Sequence, residues 1–187
     1  MGLKRIAFAL IGALALSGCI QSDHFDATGA EISAVEGLIG EHELTDLDSG
    51  DSFLAEIVSA EPGLYEVLLP DGEMRFRLAS LEIGDRYLAI ASFPEEGAEE
   101  PYLYGYLERA NHGSWVVYAP FDSPDPGTLD VNALQNAAAA YNLMIEEAFA
   151  ALQLAGDLSV ANISALFDDE VFVDLLQPTP IFRMTSP

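Results

Sequence analysis

LYEVLLPDGEMRFRLASL, residues 64–81, is the stretch on which the fold turns. Leu64 to Leu69 reads as one strand. Pro70-Asp71-Gly72-Glu73 is a turn, with proline, aspartate and glycine each at a position that suits it. From Met74 to Leu81 the residues alternate: Met74, Phe76 and Leu78 point one way, Arg75 and Arg77 the other. A period of two marks a strand buried on one face. Two such runs about a tight turn predict an antiparallel hairpin.

The same texture extends in both directions. Upstream, Gly40 to Thr45 and Phe53 to Ala60 read as strands, joined by Asp46-Leu47-Asp48-Ser49-Gly50-Asp51 and followed by the turn Glu61-Pro62-Gly63. Downstream, Ile83-Gly84-Asp85 turns into Arg86 to Phe93. An acidic loop from Pro94 to Pro101 leads to Tyr102 to Arg109, and Ala110 to Gly113 joins this to Ser114 to Tyr118. Six or seven short strands with tight connections predict a meandering antiparallel sheet, curved or partly closed into a barrel.

After a linker at 120–127 the period changes. Asp130 can cap a helix, and Val131, Leu134, Ala138, Tyr141, Ile145, Ala148 and Leu152 recur at spacings of three and four. This amphipathic stripe predicts one long helix to about Ala155, ended by Gly156. Ser159 opens a shorter helix to about Phe167. Asp168-Asp169-Glu170 should stop it, because acidic groups disfavour a helix C-terminus. Residues 171–176 fit helix or strand, and Pro180 to Thr185 can return as a last strand. Strands followed by helices give an α+β fold, here a single globular domain over residues 34–187.

The chain carries 31 acidic residues against seven basic ones. Beyond residue 18 no lysine remains, and the five arginines are Arg75, Arg77, Arg86, Arg109 and Arg183, for a net charge of −26. Phosphate binding needs clustered Lys or Arg, so nucleic acid is excluded as a partner class. Half the residues are hydrophobic, enough for a core despite the charge. An acidic, lysine-free surface suits a halophilic or marine setting, where salt screens self-repulsion. A genome-wide composition bias would leave the same trace.

Lys4 and Arg5 precede an uncharged run, Ile6 to Leu16, that is too short to span a bilayer core of about twenty residues. A basic start, an apolar middle and a small-residue end form a secretory signal peptide. The run ends on Leu16-Ser17-Gly18-Cys19. This resembles the lipobox of bacterial lipoproteins, in which a leucine and two small residues precede the cysteine that is lipidated. The resemblance covers residues 1–19. It implies removal of 1–18, acyl chains on Cys19 as membrane anchor, and a lipidated tether over 19–33. Ile20 rather than aspartate would follow the new terminus, which implies the outer membrane, facing the periplasm. With Cys19 lipidated, the mature chain has no disulfide. A core helix with a buried free cysteine fits less well behind a basic pair.

Candidate sites are few. Asp46, Asp48 and Asp51 are spaced for a calcium ion. However, an EF-hand loop needs glycine at position six and glutamate at position twelve, where Asp51 and Ile57 stand. A solvated acidic turn is the simpler reading. Tyr102, Tyr104 and Tyr106 share one strand face, and Trp115 follows on the next strand. Such rows bind sugars, peptides or apolar ligands, although an aromatic sheet face more often packs as core. Gly105 between them marks a bulge or the close approach of another backbone. His24, His42 and His112 lack zinc-ligand spacing. No nucleophile elbow or phosphate loop is present, and no cofactor is expected.

Three functions follow in order. The first is a non-enzymatic envelope lipoprotein that holds a protein partner. The second is a small-ligand module that binds an apolar molecule or a sugar near Tyr102, Tyr104, Tyr106 and Trp115. The last is a hydrolase with a scattered site. An enclosed apolar cavity favours the second, and an exposed apolar patch of roughly several hundred Å² the first.

Overall fold

A computed structural model describes residues 19–25, 34–61, 63–69, 75–92, 101–121, 129–148 and 151–187. The signal segment 1–18, the turn 70–74, the acidic stretch 93–100 and most of the 120–127 linker lie outside them.

The hairpin of residues 64–81 forms as β4 (Leu64–Leu68) and β5 (Arg75–Ile83), with Tyr65 opposite Leu78 and Val67 opposite Phe76. It belongs to a meander of seven strands. The others are β2 (Gly40–Asp46), β3 (Ser52–Glu61), β6 (Arg86–Ser92), β7 (Tyr102–Arg109) and β8 (Trp115–Ala119), each antiparallel to the next. A last strand, β11 (Thr179–Thr185), pairs with β8 on one side and β2 on the other. It shuts the sheet into a closed antiparallel barrel of eight strands. Closure leaves no open edge in the barrel.

Alternation then divides the apolar residues between two cores. Leu44, Ile57, Val67, Leu107, Trp115 and Met184 pack inside the barrel. Ala79, Leu81, Leu88, Ile90, Tyr104 and Tyr106 point outward, into a second core shared with the helices. One end of the barrel is plugged by residues 34–39, whose Val35 and Leu38 are buried in the inner core. The Val35 amide donates to Tyr65 Oη at 2.7 Å. His42, buried on β2, holds the Leu38 carbonyl at 2.8 Å through Nε2. A carbonyl only accepts, so Nε2 carries the proton, and Nδ1 has no partner among the described residues.

Three further strands extend from β7. Its far edge pairs with β1 (Cys19–Ser22) along residues 102–104 and with β8 along 106–109. The sheet therefore forks at Gly105, where an added Cβ would lie 2.8 Å from the Tyr118 carbonyl oxygen. The close approach expected of this glycine is present. Beyond β1 lie β10 (Ala151–Gly156), parallel to it, and then β9 (Leu143–Ala148).

Several expectations are corrected here. The described residues hold eleven strands, not six or seven. The long helix of 130–155 is a short one, α1 (Val131–Ala139), followed by the β9–β10 hairpin. Asp130 caps α1 as expected, through the Ala133 amide. Asn142 then turns left-handed, with φ at 58°. This breaks the helical run. From there Leu143 and Ile145 are buried while Met144 and Glu146 are exposed, a strand pattern. The second helix, α2 (Val160–Asp168), stops at Asp169 as the acidic run predicts. Residues 171–176 resolve as helix α3 (Glu170–Leu176), capped by Asp169 through the amides of Val171 and Phe172. Residues 19–22, the start of the expected tether, form a sheet strand in which Ile20 and Ser22 are fully buried and Ile20 lies in register with Tyr104 and Leu152.

Candidate functional site: the barrel interior

Eight strands enclose a space that side chains just fill or that holds one small ligand. Here they do not fill it. A cavity of about 100 Å³ lies inside the barrel. Its origin is local. Along the middle of β6 and β7 the inward positions include Ala89, Ala91 and Gly105 beside Leu103, with Ala89 directly opposite Gly105 and Ala91 opposite Leu103. Methyl groups and a hydrogen stand where other strands offer Ile57, Val67, Phe76 and Phe182, which form the facing wall.

Every lining residue is apolar except Tyr104 and Tyr118, and both of those hydroxyls are engaged with other side chains. Ser22 Oγ donates to the His24 carbonyl at 2.7 Å, so Tyr104 Oη donates to Ser22 Oγ, also at 2.7 Å. Burial pushes the Tyr118 phenol up, and the Glu108 carboxylate hydrogen-bonded to it adds to the shift. Among the described residues no carboxylate, histidine, serine or cysteine lines the cavity. The arrangement offers burial of apolar surface.

The tyrosine row sits elsewhere. Tyr102, Tyr104 and Tyr106 do share a face, but it is the outer one, where Tyr104 and Tyr106 are buried against the helical layer. Tyr104 stacks on Phe167 at 5.4 Å between ring centroids, and Tyr106 meets the same ring edge-on at 5.8 Å. The Arg86 guanidinium lies 4.4 Å from the Tyr106 centroid. Trp115 points the other way, into the barrel, beneath Arg109 and edge-on to Tyr87. The structure thus makes Tyr104 and Tyr106 part of the core, leaves Tyr102 half-buried beside Phe25, and separates Trp115 from all three. Asp46 Oδ1 accepts the amides of Asp48 and Ser49, both at 2.9 Å, in an Asx turn. No cation-binding group of three such side chains, Asp51 included, forms among the described residues. The inward alanines of β6 are the lining that sequence reasoning missed. Their alternation in RYLAIAS (86–92) was legible, but not which face would be enclosed.

The buried tyrosines give the fold an alkaline limit. Burial pushes Tyr104 up from 10.0 to about 12 and Tyr106 further. Below pH 10 both are neutral folded and unfolded, and their stabilising share is complete. Above it the unfolded chain ionises first. Stability should then fall by up to about 1.4 kcal/mol per pH unit for each tyrosine, until Tyr104 itself ionises near 12. Urea unfolding between pH 9 and 12 reads this slope, and Tyr104→Phe should make it shallower.

The described architecture defines a closed up-and-down barrel with an apolar interior, flanked by a helical layer. No family model, curated protein or solved structure matches the chain.

Proposed function

We propose that this protein is a lipid-anchored envelope protein whose barrel holds one small apolar molecule, or the end of an alkyl chain, without transforming it. The cavity of about 100 Å³ carries this reading. A dry apolar cavity of about 150 Å³ accepts benzene or xenon, so the ligand class is neutral, with roughly four to six heavy atoms inserted. A charged group would lose hydration and find no partner. Exposed large apolar side chains among the described residues are Ile39, Leu47, Leu54, Met144 and Val171, spread over β3, β9, α3 and the two ends of β2. That dispersal supports a ligand ahead of a protein partner.

Titration with benzene, followed by methyl NMR, tests the reading. Ala89, Val117 and Met184 methyls should shift together. Ala89→Leu should abolish the shifts and raise Tm by a few degrees, since filling a cavity adds about 0.5–2 kcal/mol. Unchanged binding in Ala89→Leu would remove the barrel as the site.

The anchor rests on Leu16, Ser17, Gly18 and Cys19. Intact mass of protein extracted from membranes should correspond to a chain that begins at Cys19 and carries acyl chains. An unmodified thiol would remove the envelope from the proposal while leaving the barrel untouched.

A further inference from the structure

A second pocket lies on the outer face of the sheet, away from the barrel interior. The register aligns Arg77 of β5, Ser92 of β6 and Tyr102 of β7 as direct neighbours in one row across three strands. Adjacent strands are about 4.8 Å apart, so these three groups span roughly 10 Å. The next row inward is apolar, with Leu64, Ala79 and Ile90 side by side. Phe25 packs against Tyr102, with ring centroids 6.0 Å apart. Polar row, apolar row and Phe25 enclose a pocket of about 170 Å³.

Ser92 is only 6 % exposed and lines this pocket. Arg77, at the exposed edge of the row, makes no ion pair or hydrogen bond among the described residues. Glu66 stands opposite it in register, but the only ion pair among these residues is Arg86 with Glu108. The Arg77 guanidinium is thus available to a ligand anion at the edge of an apolar pocket.

We propose that this pocket binds a small monocarboxylate with an apolar tail. The guanidinium and the two hydroxyls supply donors for the carboxylate, and Arg–carboxylate pairing is among the stronger charge-assisted contacts. Leu64, Ala79 and Ile90 bury a tail of about five carbons. Specificity comes from the polar row, because an alcohol of equal length leaves the guanidinium unpaired. The site is independent of the barrel interior and stands whether or not that interior takes a ligand.

The test is titration of the full chain with hexanoate, 1-hexanol and inorganic phosphate, followed by methyl NMR. Hexanoate should shift Leu64 and Ile90 and bind at least tenfold tighter than hexanol or phosphate. Arg77→Gln should erase the preference over hexanol. Glu66→Gln should tighten hexanoate a few-fold by removing a competing carboxylate, and Arg183→Gln, on a distant exposed arginine, should change nothing. Equal binding of hexanol, equal binding of tail-less phosphate, or a preference that survives Arg77→Gln would each overturn the proposal. Shifts confined to Ala89 and Val117 would overturn it too, while supporting the barrel reading.

Discussion

Phe167→Ala should destabilise the protein by about 3–5 kcal/mol, read as a fall in the urea midpoint with an unchanged slope. Phe167 is fully buried and sits where the barrel meets its helical layer. It stacks on Tyr104, meets Tyr106 edge-on, and touches Phe172 of α3 at 5.5 Å. Its carbonyl also accepts Tyr106 Oη at 3.4 Å. Removing the ring leaves a cavity in contact with three aromatic groups that are fixed by their own strands and helix, so collapse is limited and the cost falls at the upper end. Phe167→Leu should recover much of the loss. An effect below about 1 kcal/mol would mean that α2 does not cover this face of the barrel.

Ile20→Ala should cost about 2–5 kcal/mol, whereas Gln21→Ala, one residue on and half-buried, should cost little. A flexible tether predicts no difference between the two. As part of β1, Ile20 is fully enclosed between Tyr104 of β7 and Leu152 of β10. Losing it loosens the joint that fastens the β9–β10 hairpin to the barrel. The same position bears on the proposed lipid anchor. If Cys19 carries the acyl chains, the strand begins at the lipidated residue, and the domain sits against the membrane with a fixed orientation. An aspartate introduced at Ile20 to redirect sorting would then also place a charge in a dry core. Its effect on location should be judged only beside a measurement of folding.

The local pattern was legible where it decided local structure. Tyr102 to Arg109 forms a strand with the expected ends, and the strand expected from Arg86 is present to Ser92, Phe93 lying outside the described residues. Turn residues and period-two alternation are short-range signals, and among the described residues the alternation held. The region 131–156 misled because Ile145 and Leu152 satisfy a spacing of three and four as well as of two. The deciding feature was Asn142 in a left-handed conformation, with its carbonyl accepting the Asp157 amide at 3.1 Å. A partly closed barrel and a last strand were expected, but full closure was beyond sequence reading for another reason. It depends on Thr179–Thr185 meeting strands at 40–46 and 115–119, a pairing that no local pattern encodes. The cavity follows the same logic. Ala89 and Gly105 are ordinary small residues until the ladder sets them opposite one another on the enclosed face.

The most direct measurement is a crystal structure of the chain under xenon pressure. Xenon should occupy the barrel beside Ala89, Gly105 and Val117, with the surrounding strands unmoved. An interior without xenon, filled instead by the chain's own side chains or by ordered water, would contradict the ligand-holding barrel outright.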